Sequence, residues 1–366
     1  MRFVELAGWQ LSKVGLGTSQ FANAGWGYGS GHRPHEIAQR AVQLGVTHFD
    51  TAGFYGAGHS ERILGAVLGG IVGLLVATKV FNLAPSSRLV AAQVRASADR
   101  LGGAIGLCYL DWGNPFVDDR PAMASMRRMQ DAGLVREVGV SHFDQARWQR
   151  AERELGRPIL VEQVPYNLLQ REAETSLLPW ARAEGRLIVA AQPLATGLLS
   201  GAYHAGKTVT GPWRRRDATY SREHLERTAL LAGALGEVGR THGATPAQVA
   251  LAYVLRHPNV VAIPGAATPD QLAENVEAAE LELSEDECRH LTDAADLCTT
   301  PPADASRPGL RAARHWVKGA RLLAATAKED RLLRYHDASG TDRTMGRAGR
   351  PSRTWRGQGR WARRRG

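Results

Sequence analysis

From residue 11 to about 297 the chain alternates short apolar, β-branched runs with longer segments of helical spacing. The short runs lie at 13–18, 47–51, 74–79, 107–112, 135–140, 159–164, 187–191 and 260–263. Between them, at 36–44, 60–68, 87–101, 121–131, 145–155, 172–184 and 246–257, apolar side chains recur every three or four positions, as on one face of a helix. Pro34, Pro121 and Pro246 fall near the helix starts, where a missing N–H costs least. Gly45, Gly102, Gly133, Gly156 and Gly185 fall near the ends, where a left-handed residue is wanted. Eight strands, each followed by helix, predict an α/β chain folded as a closed parallel (β/α)8 barrel. The competing open, doubly wound sheet would carry a GxGxxG turn after its first strand, and here that turn reads Gly15-Leu-Gly-Thr-Ser-Gln20.

The flanks add detail. Residues 3–10, with Ala7-Gly8 at a turn, predict a small N-terminal β-hairpin closing the barrel floor. The Gly-rich stretch 25–31 lacks the Gly-Lys-Ser/Thr ending of a phosphate loop and reads as a loop at the barrel mouth. After 297 the rhythm stops. The expected organisation is a barrel over 1–297, a linker and helical extension over 298–336, and an Arg/Gly-rich disordered tail over 337–366.

Composition changes the picture in three places. The 366 residues carry a formal net charge of +10, but 346–366 hold eight arginines and no acid, leaving the rest at about +2. The charge describes the tail, so nucleic acid is not expected as a partner of the body. Cys108, Cys288 and Cys298 form neither a CxxC nor a cluster, which suits reduced thiols. His32 and His35 sit three apart without acidic or thiol companions, so no metal is expected. No apolar run reaches bilayer length and the N-terminus lacks a signal-peptide layout, which predicts a cytoplasmic protein. The oligomeric state is left open.

In such a barrel the chemistry sits at the C-terminal strand ends. Polar residues there are Asp50, Lys79, Asp111, Ser141 and Gln163, with Tyr55 in the loop after Asp50. A phenol of pKa about 10 is a weak acid at neutral pH. A nearby lysine favours its phenolate, and a carboxylate holds the lysine charged and in place. Tyr55, Lys79 and Asp50 therefore make a proton donor for an oxygen that becomes anionic, as when hydride adds to a carbonyl carbon. The hydride must come from a cofactor.

The stretch Phe49-Asp-Thr-Ala-Gly-Phe-Tyr-Gly-Ala-Gly-His-Ser-Glu-Arg62 resembles the signature of the aldo-keto reductases. So do Ala77-Thr-Lys-Val80, Gly139-Val-Ser-His-Phe143, Gln163-Val-Pro-Tyr-Asn-Leu-Leu169, Pro193-Leu-Ala-Thr-Gly-Leu-Leu199 and Ile263-Pro-Gly-Ala266, in the family's order. The Ile-Pro-Gly loop is similar to that of a bacterial branch. The resemblance implies an oxidoreductase using NADP(H) more readily than NAD(H), on a small-molecule carbonyl or enone. It implies catalytic roles for Asp50, Tyr55, Lys79 and Asp111. It places the nicotinamide carboxamide by Ser141 and Gln163 and the pyrophosphate along 192–199, including Gln192, Pro193, Leu194 and Gly197, with Gly17, Thr18, Asp50 and His142 also at the cofactor. The adenosine side falls to Ile263, Gly265, Ala266, Ala267, Gln271 and Asn275. Trp26, Tyr28, Phe81 and Trp112 are the candidate substrate walls.

Four positions depart from the family pattern. Asp111 replaces the usual histidine, His142 the usual asparagine, Ala191 an aromatic, and Ala267 a basic residue. Two carboxylates sharing one lysine predict an Asp111 that is raised and protonated when cofactor and substrate exclude water, donating to an enolate, the resemblance linking an acid here to C=C reduction; the alternative is that it turns to a backbone N–H or a nearby arginine and only shapes the pocket. The other reading of the altered positions is a regulatory or interaction protein that binds cofactor with little turnover.

Overall fold

A computed structural model describes residues 1–22, 33–111, 117–203 and 220–298, with the single positions 215 and 324. The predicted walls Trp26, Tyr28 and Trp112, the His32 of the paired histidines, and nearly all of 298–366 lie outside them. The chain opens with the expected hairpin, β1 (Phe3–Leu6) paired antiparallel to β2 (Trp9–Ser12). Ala7 and Gly8, with φ of 49° and 84°, supply the two left-handed residues that a two-residue hairpin turn requires.

Eight parallel strands follow in unbroken sequence order: β3 (Leu16–Gly17), β4 (His48–Asp50), β5 (Leu75–Phe81), β6 (Ile105–Asp111), β7 (Val135–Ser141), β8 (Val161–Pro165), β9 (Leu187–Ala191) and β10 (Val260–Ala262). The ends meet just before β3, where Gly15 N donates to Ala262 O at 2.8 Å and Ala262 N to Lys13 O at 2.9 Å. That seam closes the barrel. Only glycine fits there. A Cβ on Gly17 would stand 2.5 Å from the carbonyl oxygen of Ile263, and one on Gly15 would stand 2.2 Å from the buried His48 ring. Gly15→Ala is expected to destabilise the barrel by about 1–3 kcal/mol through overpacking, read as a lowered Tm.

The strand alternation sorts side chains into two buried sets. Inside the barrel lie Leu75, Ala77, Leu107, Tyr109, Val161, Val189 and Val261, plugged from below by Leu6 and Leu11 of the hairpin. The opposite faces pack against the helices, among them α1 (Pro34–Gln43), α2 (His59–Leu68), α3 (Ser87–Leu101), α4 (Arg120–Asp131) and α5 (Gln145–Leu155). The punctuation is as expected: Pro34, Pro121 and Pro246 stand in first turns, and the five glycines all have positive φ.

The predicted helix 172–184 is instead two, α6 (Glu172–Thr175) and α7 (Leu177–Ala183). Pro179 explains the break, because in one continuous helix its ring would meet the carbonyl of Thr175. Five further α-helices follow among the described residues: α8 (Arg222–Arg227), α9 (Ala229–His242), α10 (Pro246–Leu255), α11 (Pro269–Glu277) and α12 (Glu285–Asp296). Of these only α10 was delimited by spacing. No helix among the described residues is long and apolar enough to cross a membrane.

Candidate active site

At the C-terminal ends of the strands, side chains from β4, β5, β6 and β8 meet at the bottom of a cavity of about 530 Å³. Lys79 reaches from β5 to β4: its Nζ donates to Asp50 Oδ1, and to the carbonyl of Thr51 at 3.0 Å. The other Asp50 oxygen accepts from Gln163 Nε2 at 2.7 Å. All three are buried. Burial disfavours the Lys79 ammonium, yet Asp50, Tyr55 and Asp111 around it hold its pKa above that of an ordinary lysine. Lys79 is a fixed cation.

Tyr55 lies across that cation, with Lys79 Nζ 5.4 Å from its ring centroid. The loop holding it, between β4 and α2, is braced from both sides. Tyr55 N donates to Ala52 O at 3.0 Å, and its ring meets Phe54 edge-on at 4.9 Å. Behind the loop, Ser60 joins Thr18 and Thr51 through hydroxyl contacts of 2.7 and 2.9 Å. Glu61, part of the quoted signature, is wholly buried, accepting from Thr78 Oγ1 at 2.6 Å and Arg100 Nε at 2.6 Å. Its place is structural, tying the start of α2 to β5 and α3.

Burial pushes the Tyr55 phenol up to about 12; Lys79 pulls it down, and Asp50 and Asp111 push it up again. The downward pull of Lys79 was expected from sequence, but it does not prevail. At neutral pH Tyr55 is therefore a neutral phenol, an acid that parts with its proton only to a strong base such as a nascent alkoxide.

The side chains around Asp111 favour its ionised form. Burial raises its carboxyl, but His142, Lys79 and Ser141 outweigh burial and hold it below the ordinary aspartate value. His142 Nδ1 stands 3.4 Å from Asp111 Oδ1. The imidazole on the neighbouring strand end is a partner that strand order alone does not reveal. Asp111 is an anion at neutral pH, not a neutral acid.

From this bottom the cavity runs sideways between two loops. After β9 it is walled by Gln192, Pro193, Leu194 and Gly197, and after β10 by Ile263, Gly265, Ala267, Gln271 and Asn275. The first loop is strained: Gln192, Ala195 and Thr196 have φ of 50°, 47° and 58°. Such backbone persists where neighbours over-determine it. Here Asn167 Nδ2 donates to Gln192 O at 3.0 Å and Tyr220 Oη to Thr196 O at 2.7 Å. The second loop leads into α11. Thr268 caps that helix by accepting from Gln271 N at 3.2 Å, and Asn275 Nδ2 holds Gly265 O at 3.2 Å. The helix N-terminus at the cavity wall presents a positive dipole end suited to phosphate.

Of the residues singled out from sequence, Gly17, Thr18, Asp50, Tyr55, Lys79, Asp111, His142 and Gln163 do line this space, with the loop residues above. Three do not. Ser141 is buried with its Oγ 3.0 Å from His142 Nδ1, and Ala266 is buried with its carbonyl accepting from Gln20 Nε2 at 3.2 Å. Phe81 is also buried, stacked at 4.6 Å behind Phe54, which takes the wall position assigned to it. Phe54 precedes Tyr55 and was visible only as part of the motif. Glu274, also at the wall, was missed, although it sits three residues after Gln271 on the same face of α11.

Fold and site together define a barrel oxidoreductase. The chain belongs to the aldo/keto reductase family, whose family model matches residues 13–296. A protein of Mycobacterium tuberculosis (strain ATCC 25618 / H37Rv) named as an uncharacterized oxidoreductase is 42% identical over 301 residues, covering 81% of this chain and 93% of that protein. Methylglyoxal reductase YeaE of Escherichia coli (strain K12) is 30% identical over 279 residues, covering 75% of this chain and 87% of its own. Among solved structures, the thermostable aldo-keto reductase Tm1743, in complex with the inhibitor epalrestat, is 30% identical with a TM-score of 0.66, covering 80% of this chain and 100% of that one. An aldo/keto reductase from Klebsiella pneumoniae in complex with NADP and acetate shares the fold, at 24% identity and a TM-score of 0.61, covering 80% of this chain and 93% of that one.

Proposed function

We propose that this protein reduces small-molecule carbonyl compounds with NAD(P)H, Tyr55 giving the proton to the substrate oxygen. The observation that carries this reading is the buried Lys79–Asp50 pair set against a neutral Tyr55 at the bottom of the cavity. The walls fit a dinucleotide: a helix N-terminus for a phosphate at one end, a backbone-lined loop between, and the Gln163 amide at the other end. A reduced nicotinamide supplies the hydride that no side chain can give. Tyr55 then donates its proton to the oxygen as charge develops, and Lys79 stabilises the phenolate left behind. Asp50 keeps Lys79 in place and is itself held by Gln163. The ionised Asp111 favours a carbonyl over an enone, because a carboxylate cannot donate to an enolate. A panel of aldehydes, ketones and enones, followed by nicotinamide absorbance with both cofactors, tests the reading. Turnover of aldehydes is the expected result, and no turnover of any carbonyl with either cofactor refutes it.

For the cofactor, we infer a modest preference for NADPH. It rests on the α11 N-terminus, on the family, and on the NADP named with the Klebsiella structure. Ala267 puts no cation beside that terminus, which keeps the preference small. Ala267→Arg is expected to tighten NADPH by about fivefold or more through a charge-assisted contact, leaving NADH unchanged. Equal effects on both cofactors in equilibrium titration would place the 2′-phosphate elsewhere.

A further inference from the structure

The site contains a second acid–base element that Tyr55, Lys79 and Asp50 do not use. Leu110 pairs with Val140, so the next residues along, Asp111 and Ser141, end β6 and β7 side by side. His142 follows with φ of 61°, an uncommon conformation for a residue with a side chain. Its backbone is pinned at both neighbouring peptide units. His142 N donates to Gln163 O at 3.1 Å, and Phe143 N donates to the buried Glu162 Oε1 at 2.6 Å. Strain held in this way at a cavity wall points to function. The turn sets the imidazole at that wall with Nδ1 3.0 Å from Ser141 Oγ and 3.4 Å from Asp111 Oδ1. With Nδ1 engaged there, any hydrogen bond from this ring to a substrate comes from Nε2.

The charges supply the reason for the pair. Asp111 lies near enough to Tyr55 and Lys79 for its charge to act on both. A bare carboxylate at that distance opposes an oxygen becoming negative. An imidazole between carboxylate and substrate converts the same charge into help, since the carboxylate fixes the ring tautomer and its orientation.

Resting on the carbonyl-reductase reading, we propose that His142 is a second hydrogen-bond donor to the substrate oxygen, and that Asp111 is the positioning residue acting through it. Tyr55 and His142 then approach one oxygen from β4 and β7, and Asp111 acts on it through the imidazole.

The test is a double-mutant cycle of His142→Ala, Asp111→Ala and the pair, with Tyr55→Phe as the reference, each followed by kcat for an aldehyde, KM for the aldehyde and Kd for the cofactor. His142→Ala is expected to lower kcat by about thirtyfold or more, as for loss of one positioned oxyanion donor, with cofactor Kd within about twofold. Asp111→Ala lowers kcat by about tenfold alone and loses most of that effect in the His142→Ala background, because it works mainly through that ring. Asp111→Asn, which keeps shape but not charge, should match Asp111→Ala. A His142→Ala enzyme keeping more than a third of wild-type kcat, or an Asp111 effect that persists without the imidazole, overturns the proposal while leaving Tyr55 as acid. A wild-type enzyme inert towards every carbonyl overturns the reading beneath it instead. Melting temperatures of all variants are measured alongside; a His142→Ala enzyme that does not fold is replaced by His142→Gly, which also lacks a donor and suits the φ of 61°, with the same losses expected and the same thresholds.

Discussion

Tyr55→Phe is expected to lower kcat for aldehyde reduction by about a hundredfold to ten-thousandfold, the loss that follows removal of a positioned acid. The Kd of the cofactor should stay within about twofold, since the hydroxyl acts on the substrate oxygen and the cofactor is held by other walls. The ring remains against Phe54 and over Lys79, so folding should be unaffected. The two directions of reaction give a further check. With the phenol pushed up to about 12, the protonated form that reduction needs persists across the ordinary pH range. Reduction by the wild type should therefore not fall through loss of this proton between about pH 6 and about pH 9. Alcohol oxidation needs the phenolate, so its rate should climb with pH over the same interval. A Tyr55→Phe enzyme retaining more than about a tenth of kcat would remove the residue from the role of acid.

Much of this site was open to a sequence argument because barrel topology converts strand ends into neighbours. Once 47–51, 74–79 and 159–164 were read as successive inward-pointing strands, Asp50, Lys79 and Gln163 had to converge, and they do. The parts that were misread depend on geometry within a turn. No pattern in Val140-Ser-His-Phe143 shows that His142 turns left-handed and comes back to Asp111, so from sequence this carboxylate faces Asp50 and shares its one lysine. Phe81 was assigned to the wall from its strand-end position, but Phe54 from the adjoining loop covers it. On the outside of the barrel, α9 escaped notice because Gly233, Gly236 and Gly239 look like breaks. Burial of Leu231, Ala234, Leu235 and Val238 on one face makes up for their weak helix propensity, and Gly239 packs too near Ala244 O for any side chain.

Lys79→Met should cost both activity and stability, and the two losses separate by a second substitution. Among the charges acting on Tyr55, only Lys79 lowers its pKa, while Asp50 and Asp111 raise it. Without the cation the phenol becomes a weaker acid, and kcat should fall by about a thousandfold, within the range for losing general acid catalysis. The fold loses as well. Removing one partner of a buried pair leaves an uncompensated charge, at a cost of about 3–5 kcal/mol, and Tm should drop on the order of 10 °C. The remaining Asp50 carboxyl is raised by burial, and loses the ammonium that opposed it. An acid whose folded pKa exceeds its unfolded one binds more protons folded than unfolded, so stability falls as pH rises through that window. The variant should thus be more stable at about pH 5 than at about pH 8, with a steeper slope than in the wild type, where Lys79 opposes the rise. Asp50→Asn in the same background removes the charge while keeping an acceptor for Gln163 Nε2. It should restore most of the lost stability, erase the pH slope, and leave kcat as low as before. If stability returned only with the lysine, packing of its stem, rather than the unpaired carboxylate, would account for the loss.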